Sequence, residues 1–125
     1  MYLSVDEKDN RPIYTQIIRQ IKEQINSGVL KPGDELPSVR EVADSLGINM
    51  HTVRSAYLKL QDQGIIVLHL GRRARIARCL PPQKHADYET AIQVRLKEII
   101  TDALLAGIQV ADLRKLLNQQ LDEIK

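Results

Sequence analysis

Between Ser38 and Gly64 the chain carries two short amphipathic helical patterns with almost nothing between them, and that spacing limits the fold more than any other feature. Ser38 opens the first pattern: its hydroxyl can accept from the amide of Glu41 while the Glu41 carboxylate reaches back, a capping box. The helix it starts is short and stops at Gly47. Asn49 is a good N-cap for the second pattern, in which Val53, Ala56, Tyr57 and Leu60 share one face and Gly64 ends the run. Gly47, Ile48 and Asn49 are all that separate the two, which is the turn of a helix-turn-helix. Residues 65–68 then predict a strand, His69, Leu70, Gly71 and Arg72 a turn, and residues 74–77 a returning strand. A hairpin in that position is a wing. The expected fold is mainly α with a small β-hairpin: a winged helix-turn-helix over residues 10–78.

The flanks extend this outline. A first helix is expected from Pro12, a favourable first helical residue, through Ile13, Ile17, Ile18, Ile21 and Ile25 to Gly28. Lys31, Pro32, Gly33 and Asp34 predict a turn. Pro81 and Pro82 mark a linker over 79–85. Residues 86–125 then hold two apolar stripes, Tyr88, Ile92, Leu96, Ile99, Ile100 and Ala103 before Gly107, and Val110, Leu113, Leu116, Leu117, Leu121 and Ile124 after it. With so short a connection, a C-terminal antiparallel helical hairpin is expected. A hairpin alone buries little, so its apolar surface seeks a partner, and a second copy of the hairpin is the expected one. Ile92, Leu96, Ile99, Ile100, Leu113, Leu117 and Leu121 are the candidate dimerisation residues.

Composition narrows the function classes. Four Tyr with no Phe or Trp leave a core of Ile, Leu and Val. No apolar run approaches the roughly 20 residues that cross a bilayer, so no membrane role is expected. The first residues lack the basic and apolar regions of a signal peptide. The single cysteine, Cys79, has no internal disulfide partner, and a reducing, cytoplasmic setting is the natural expectation. His51, His69 and His85 do not fall at metal-ligand spacing, and Cys79 has no nearby partner in a metal or redox motif. Hence no catalytic residues, no metal and no cofactor are expected.

Charge points to nucleic acid. Residues 1–80 carry 12 Lys/Arg against 9 Asp/Glu, whereas 81–125 carry 6 against 7. Arg72, Arg73, Arg75 and Arg78 fall in seven consecutive positions with no acid among them. A basic run is most often simply solvated, but at the wing of a helix-turn-helix it favours phosphate contact. Double-stranded DNA is therefore the first candidate partner. A recognition helix presents its N-terminal residues to base edges in the major groove. Asn49, His51 and Thr52 can donate or accept there, although capping is the favoured role of Asn49 and a solvated His51 is nearly as good an account. Arg54 is expected on phosphate. Arg40 follows the Ser38 cap, where a helix N-terminus also favours phosphate; a pair with Asp44 four residues on is an equal alternative by spacing alone. Ser38 is chiefly a cap with phosphate within reach, Tyr57 belongs to the core, and His69 and Arg72 are placed at the DNA backbone. A winged helix used only for protein contact is the rival reading, and the basic wing argues against it.

The residues quoted so far resemble the GntR family of bacterial transcription regulators. They are Leu36, Pro37, Ser38, Arg40 and Ala43, then Thr52, Val53, Ala56 and Leu60, then Gly64 and Gly71. Pro12, Ile13, Tyr14, Gln16 and Ile17 together with the short helical tail look like its YtrA-type subgroup. The resemblance implies a homodimeric repressor on a palindromic operator, often encoded beside a transporter operon. It places Arg40 on DNA, Asn49, Met50, His51, Thr52 and Arg54 at the start of the recognition helix, and Gly71 at the wing tip. Met50 stands where the family often has Arg or Pro, which removes one contact or replaces it with an apolar one. The wing lacks the usual second glycine, and the added Arg72 and Arg73 favour phosphate or minor groove. A tail of about 45 residues encloses little volume, so a small-molecule effector stays an open question, with the dimer interface and the linker as its places.

Overall fold

A computed structural model describes residues 1–78 and 85–124, the first four of the second stretch by backbone alone. Cys79, the Pro81-Pro82 linker and the Tyr88 side chain lie outside the described residues. The chain divides into two compact units, Met1–Pro81 and Pro82–Lys125.

The first unit is built around its third helix. α1 (Ile13–Asn26), α2 (Val39–Leu46) and α3 (Met50–Asp62) precede β1 (Ile66–Val67) and β2 (Arg75–Ile76). α3 packs against α1 on one side and α2 on another, and its C-terminal half meets β1. It buries Val53, Ala56, Tyr57 and Leu60, the four residues its periodicity assigns to one face. Ile17 and Ile21 of α1, Leu36, and Ile66 and Ile76 of the hairpin close the same core. Each such side chain contributes about 1.5–3 kcal/mol by leaving water.

Pro12 is the N-cap of α1 rather than its first helical residue: its ψ of 148° is extended, and its carbonyl accepts from the Gln16 amide at 3.1 Å. The strands are shorter than the sequence suggests, two residues each, with Ile66 opposite Ile76 and Val67 opposite Arg75. They need not be longer, because β2 is held on its other edge too. Leu36 donates to the Ala74 carbonyl at 2.8 Å and Ile76 to that of Asp34 at 2.9 Å. Residues 33–36 thus act as a third strand, which anchors the wing to the chain entering α2.

The first residues are part of this unit, although the sequence placed its start at 10. Residues 2–6 run extended and antiparallel along α1, clipped to Gln24, Gln20 and Gln16. Each glutamine amide accepts from one backbone N–H and donates to the carbonyl of that same residue: Gln24 with Tyr2, Gln20 with Ser4, Gln16 with Asp6. The match is geometric. Four helical residues rise about 6 Å and two extended residues about 6.6 Å, so the two repeats stay in step for three rungs. The alternate residues Met1 and Leu3 pack against the core.

The second unit holds α4 (His85–Leu105) and α5 (Val110–Ile124). The two helices follow one another across residues 106–109, in the order expected of the C-terminal helical hairpin, and touch each other. From Glu89 to Ile124 Ala103 and Leu113 are the two described residues that are not exposed, while Ile92, Leu96, Ile100 and Leu121 are 42–49% exposed. Within the single chain α4 and α5 leave much of both apolar stripes exposed. Among the described residues no helix is long and apolar enough to cross a membrane.

Candidate nucleic-acid interface

Two helix starts, joined by a tight turn, set up the site. Ser38 Oγ accepts from the Glu41 amide at 3.1 Å, which caps α2. Gly47 closes α2 with φ +66° and its amide donates to the Ala43 carbonyl. That left-handed conformation costs an L-residue about 1 kcal/mol, so glycine is the residue that lets the chain reverse here. Asn49 Oδ1 then accepts from the His51 amide at 2.7 Å and starts α3. Asn49 is therefore the N-cap, as its spacing favoured.

From this geometry the predicted residues sort themselves. Arg40 is exposed in the first turn of α2 and makes no ion pair among the described residues, so the alternative of an Arg40–Asp44 pair is not realised. His51 and Arg54 are exposed on α3, and Thr52 is half-buried. Met50, in the first turn of α3, is partly buried and packs against the core. Tyr57 is buried, and its hydroxyl donates to the Pro37 carbonyl at 2.7 Å, which ties the recognition helix to the turn before α2. Burial pushes the Tyr57 phenol well above its ordinary value, so it stays a neutral donor.

The wing behaves differently from a simple basic run. The His69 carbonyl accepts from the Arg72 amide at 3.1 Å across the tip, and Gly71 takes φ +75° there. His69, Gly71 and Arg72 are exposed. Arg73, however, lies over the N-terminus of α2 with its Nη2 and Nη1 donating to the Glu41 carboxylate, at 2.5 and 3.2 Å. Arg75 reaches Glu35 at 2.6 Å and the Gly33 carbonyl at 3.0 Å, which braces the third strand. Two of the four wing arginines are thus held by carboxylates of the protein itself. The sequence reading missed both pairs because Glu35 and Glu41 lie far upstream. It also missed the glutamine ladder, although Gln16, Gln20 and Gln24 stand four apart in plain view. Arg73 is the main cause that holds the Glu41 carboxyl below its ordinary range, with Ser38 a smaller one.

Comparison with known proteins agrees with this architecture. The model of the bacterial regulatory proteins of the gntR family matches residues 13–76. The chain belongs to the GntR family. Over 98% of its length it is 37% identical to the HTH-type transcriptional repressor YtrA of Bacillus subtilis, of which 95% is covered. A crystal structure described as a transcriptional antiterminator from Listeria monocytogenes superposes with a TM-score of 0.84 at 34% identity, covering 99% of this chain and 92% of that one. The DNA-binding domain of AraR, crystallised with operator ORX1, matches 62% of this chain and 99% of its own with a TM-score of 0.55 at 26% identity. The chain is a DNA-binding transcription regulator of the GntR family and not an enzyme.

Proposed function

We propose that this GntR-family protein is a homodimeric repressor that reads a palindromic operator. The observation that carries the dimer is the second unit: Ile92, Leu96, Ile99, Ile100, Leu117 and Leu121 are all at least 42% exposed on helices with no core of their own. Isolated helices of this length are marginal in water, and most helical stability comes from covering an apolar face. A second copy of the same unit supplies a matching face, as an isologous two-fold contact requires. Ile92, Leu96, Ile99, Ile100, Leu113, Leu117 and Leu121 are its core.

A two-fold pairs two α3 helices, and their exposed starts suit two half-sites about one helical turn, 34–36 Å, apart. Asn49, His51, Thr52 and Arg54 face base edges and neighbouring phosphates, Met50 adds an apolar edge, and Arg40 with Ser38 meets the backbone or a guanine. His69, Gly71, Arg72 and Arg73 of the wing meet the flanking groove. Repression accords with the name of the Bacillus subtilis relative. A transporter operon is the target class implied by the subgroup resemblance, and chromosomal DNA puts the protein in the cytoplasm.

The test is selection of duplexes from a random library at physiological salt, followed by sequencing. An enriched palindrome supports the proposal; an enriched single half-site refutes the two-fold reading. Against the selected duplex, Arg40→Ala should lose about 1–3 kcal/mol of discrimination over random DNA. Unchanged discrimination removes Arg40 from the site.

A further inference from the structure

Glu41 has two tasks in this fold, and only the first is shared with an ordinary helix start. Its amide completes the Ser38 cap, while its carboxylate, at the N-terminus of α2, is gripped by Nη1 and Nη2 of Arg73. That is the place where a helix N-terminus and an arginine together would receive a phosphate. Both side chains are about half exposed, 47% for Arg73 and 51% for Glu41, so a DNA backbone can reach the pair. The neighbouring acid, Glu35, is held by Arg75 and cannot take over the role. Arg72 and Arg78 are exposed and pair with no carboxylate among the described residues.

We propose that Glu41 is a built-in competitor of the DNA backbone for Arg73, one that lowers the affinity of the protein for random sequence. Exposed ion pairs of this kind are weak and readily exchanged. Replacing the carboxylate by a phosphate keeps the Arg73 charge matched, but it strands Glu41 beside a second anion. On loosely docked, random DNA the exchange gains nothing, and Arg73 stays latched. On an operator, close docking of α3 brings a phosphate to Arg73 at a fixed position, and the exchange proceeds. Glu41 thereby widens the gap between specific and random binding without touching a base.

This inference rests on the DNA-binding reading, and the experiment separates the two. Glu41→Gln removes the charge yet keeps a residue that serves the capping box equally well. Binding of full-length protein to a scrambled duplex and to the selected duplex is followed by fluorescence anisotropy between 50 and 300 mM salt. The expected result for Glu41→Gln is roughly threefold or greater tightening on scrambled DNA, a smaller gain on selected DNA, and a scrambled-DNA salt slope steeper by about one phosphate contact, 0.9. In an Arg73→Ala background the same change should have no effect. Weaker binding of Glu41→Gln on both duplexes means the pair braces the wing on DNA and overturns the proposal. An unaltered affinity, or a gain that persists without Arg73, overturns it too. Arg73→Gln tests the pair from the other side: selected-DNA affinity should fall by a larger factor than scrambled-DNA affinity, and an equal loss on both refutes the latch. If wild-type protein binds neither duplex, the DNA-binding reading fails first.

Discussion

Replacing Gln16 by Ala should destabilise the first unit far more than the same change at Gln20. Gln16 is a buried polar residue, 5% exposed, and its amide makes three hydrogen bonds: it accepts from the Asp6 amide at 3.0 Å and donates to the Asp6 and Arg11 carbonyls at 3.1 and 3.0 Å. A typical intramolecular hydrogen bond contributes about 0.5–1.5 kcal/mol net, and buried partners left alone cost more, so Gln16→Ala should lose about 2–4 kcal/mol. Gln20 makes two bonds, to Ser4, in an exposed setting where water replaces them. Its loss should be below about 1 kcal/mol. Urea unfolding followed by circular dichroism, at one fixed protomer concentration because dimerisation shifts the midpoint, measures both variants. Amide exchange at Tyr2, Ser4 and Asp6 should quicken in Gln16→Ala at all three positions if the ladder acts as a unit. Equal losses for the two variants, or a Gln16→Ala loss under about 0.5 kcal/mol, would refute the view that Gln16 anchors the segment.

Other expectations follow from single contacts. Tyr57→Phe removes the donor to Pro37 at 2.7 Å and should lower stability by about 1 kcal/mol, several degrees in melting temperature, with α3 otherwise unchanged. Leu117→Asp puts a charge into the proposed dimer core and should weaken dimerisation at least a hundredfold, about 3 kcal/mol, by analytical ultracentrifugation; a dimer of wild-type strength would exclude Leu117 from the interface. The Glu41 carboxyl, held by Arg73 below its ordinary 4.5, should titrate below that value in a carbon-13 NMR titration. A carboxyl depressed on folding adds stability above its unfolded value, and the contribution fades as the pH falls through the lower folded value. In Arg73→Ala the midpoint should return towards 4.5.

Much of the fold is legible along the chain because its signals are local. Ser38, Gly47, Asn49 and Gly64 mark helix ends through bonds and backbone angles that involve neighbours within a few residues. The buried face of α3 follows from its own periodicity. The exposure of Arg40, His51 and Arg54 was legible too, because none of the three lies on the apolar face of its helix. Met50 was harder, since the first turn of a helix lies where core and surface meet, and only the packing around it decides which side it serves.

Local order fixed the succession of helices, the turn between α2 and α3, and the presence of a hairpin after them. Tertiary structure decided what the charges do. Arg73 and Glu41 are 32 residues apart and Arg75 and Glu35 are 40 apart, so nothing in the run of arginines tells which are engaged. The same holds for the strand of residues 33–36 beside β2 and for residues 2–6 on α1, whose partners lie in other segments. Hydrogen bonds and ion pairs act over a few ångströms of space whatever the distance along the chain, so they are settled only once the helices have packed and brought their ends together.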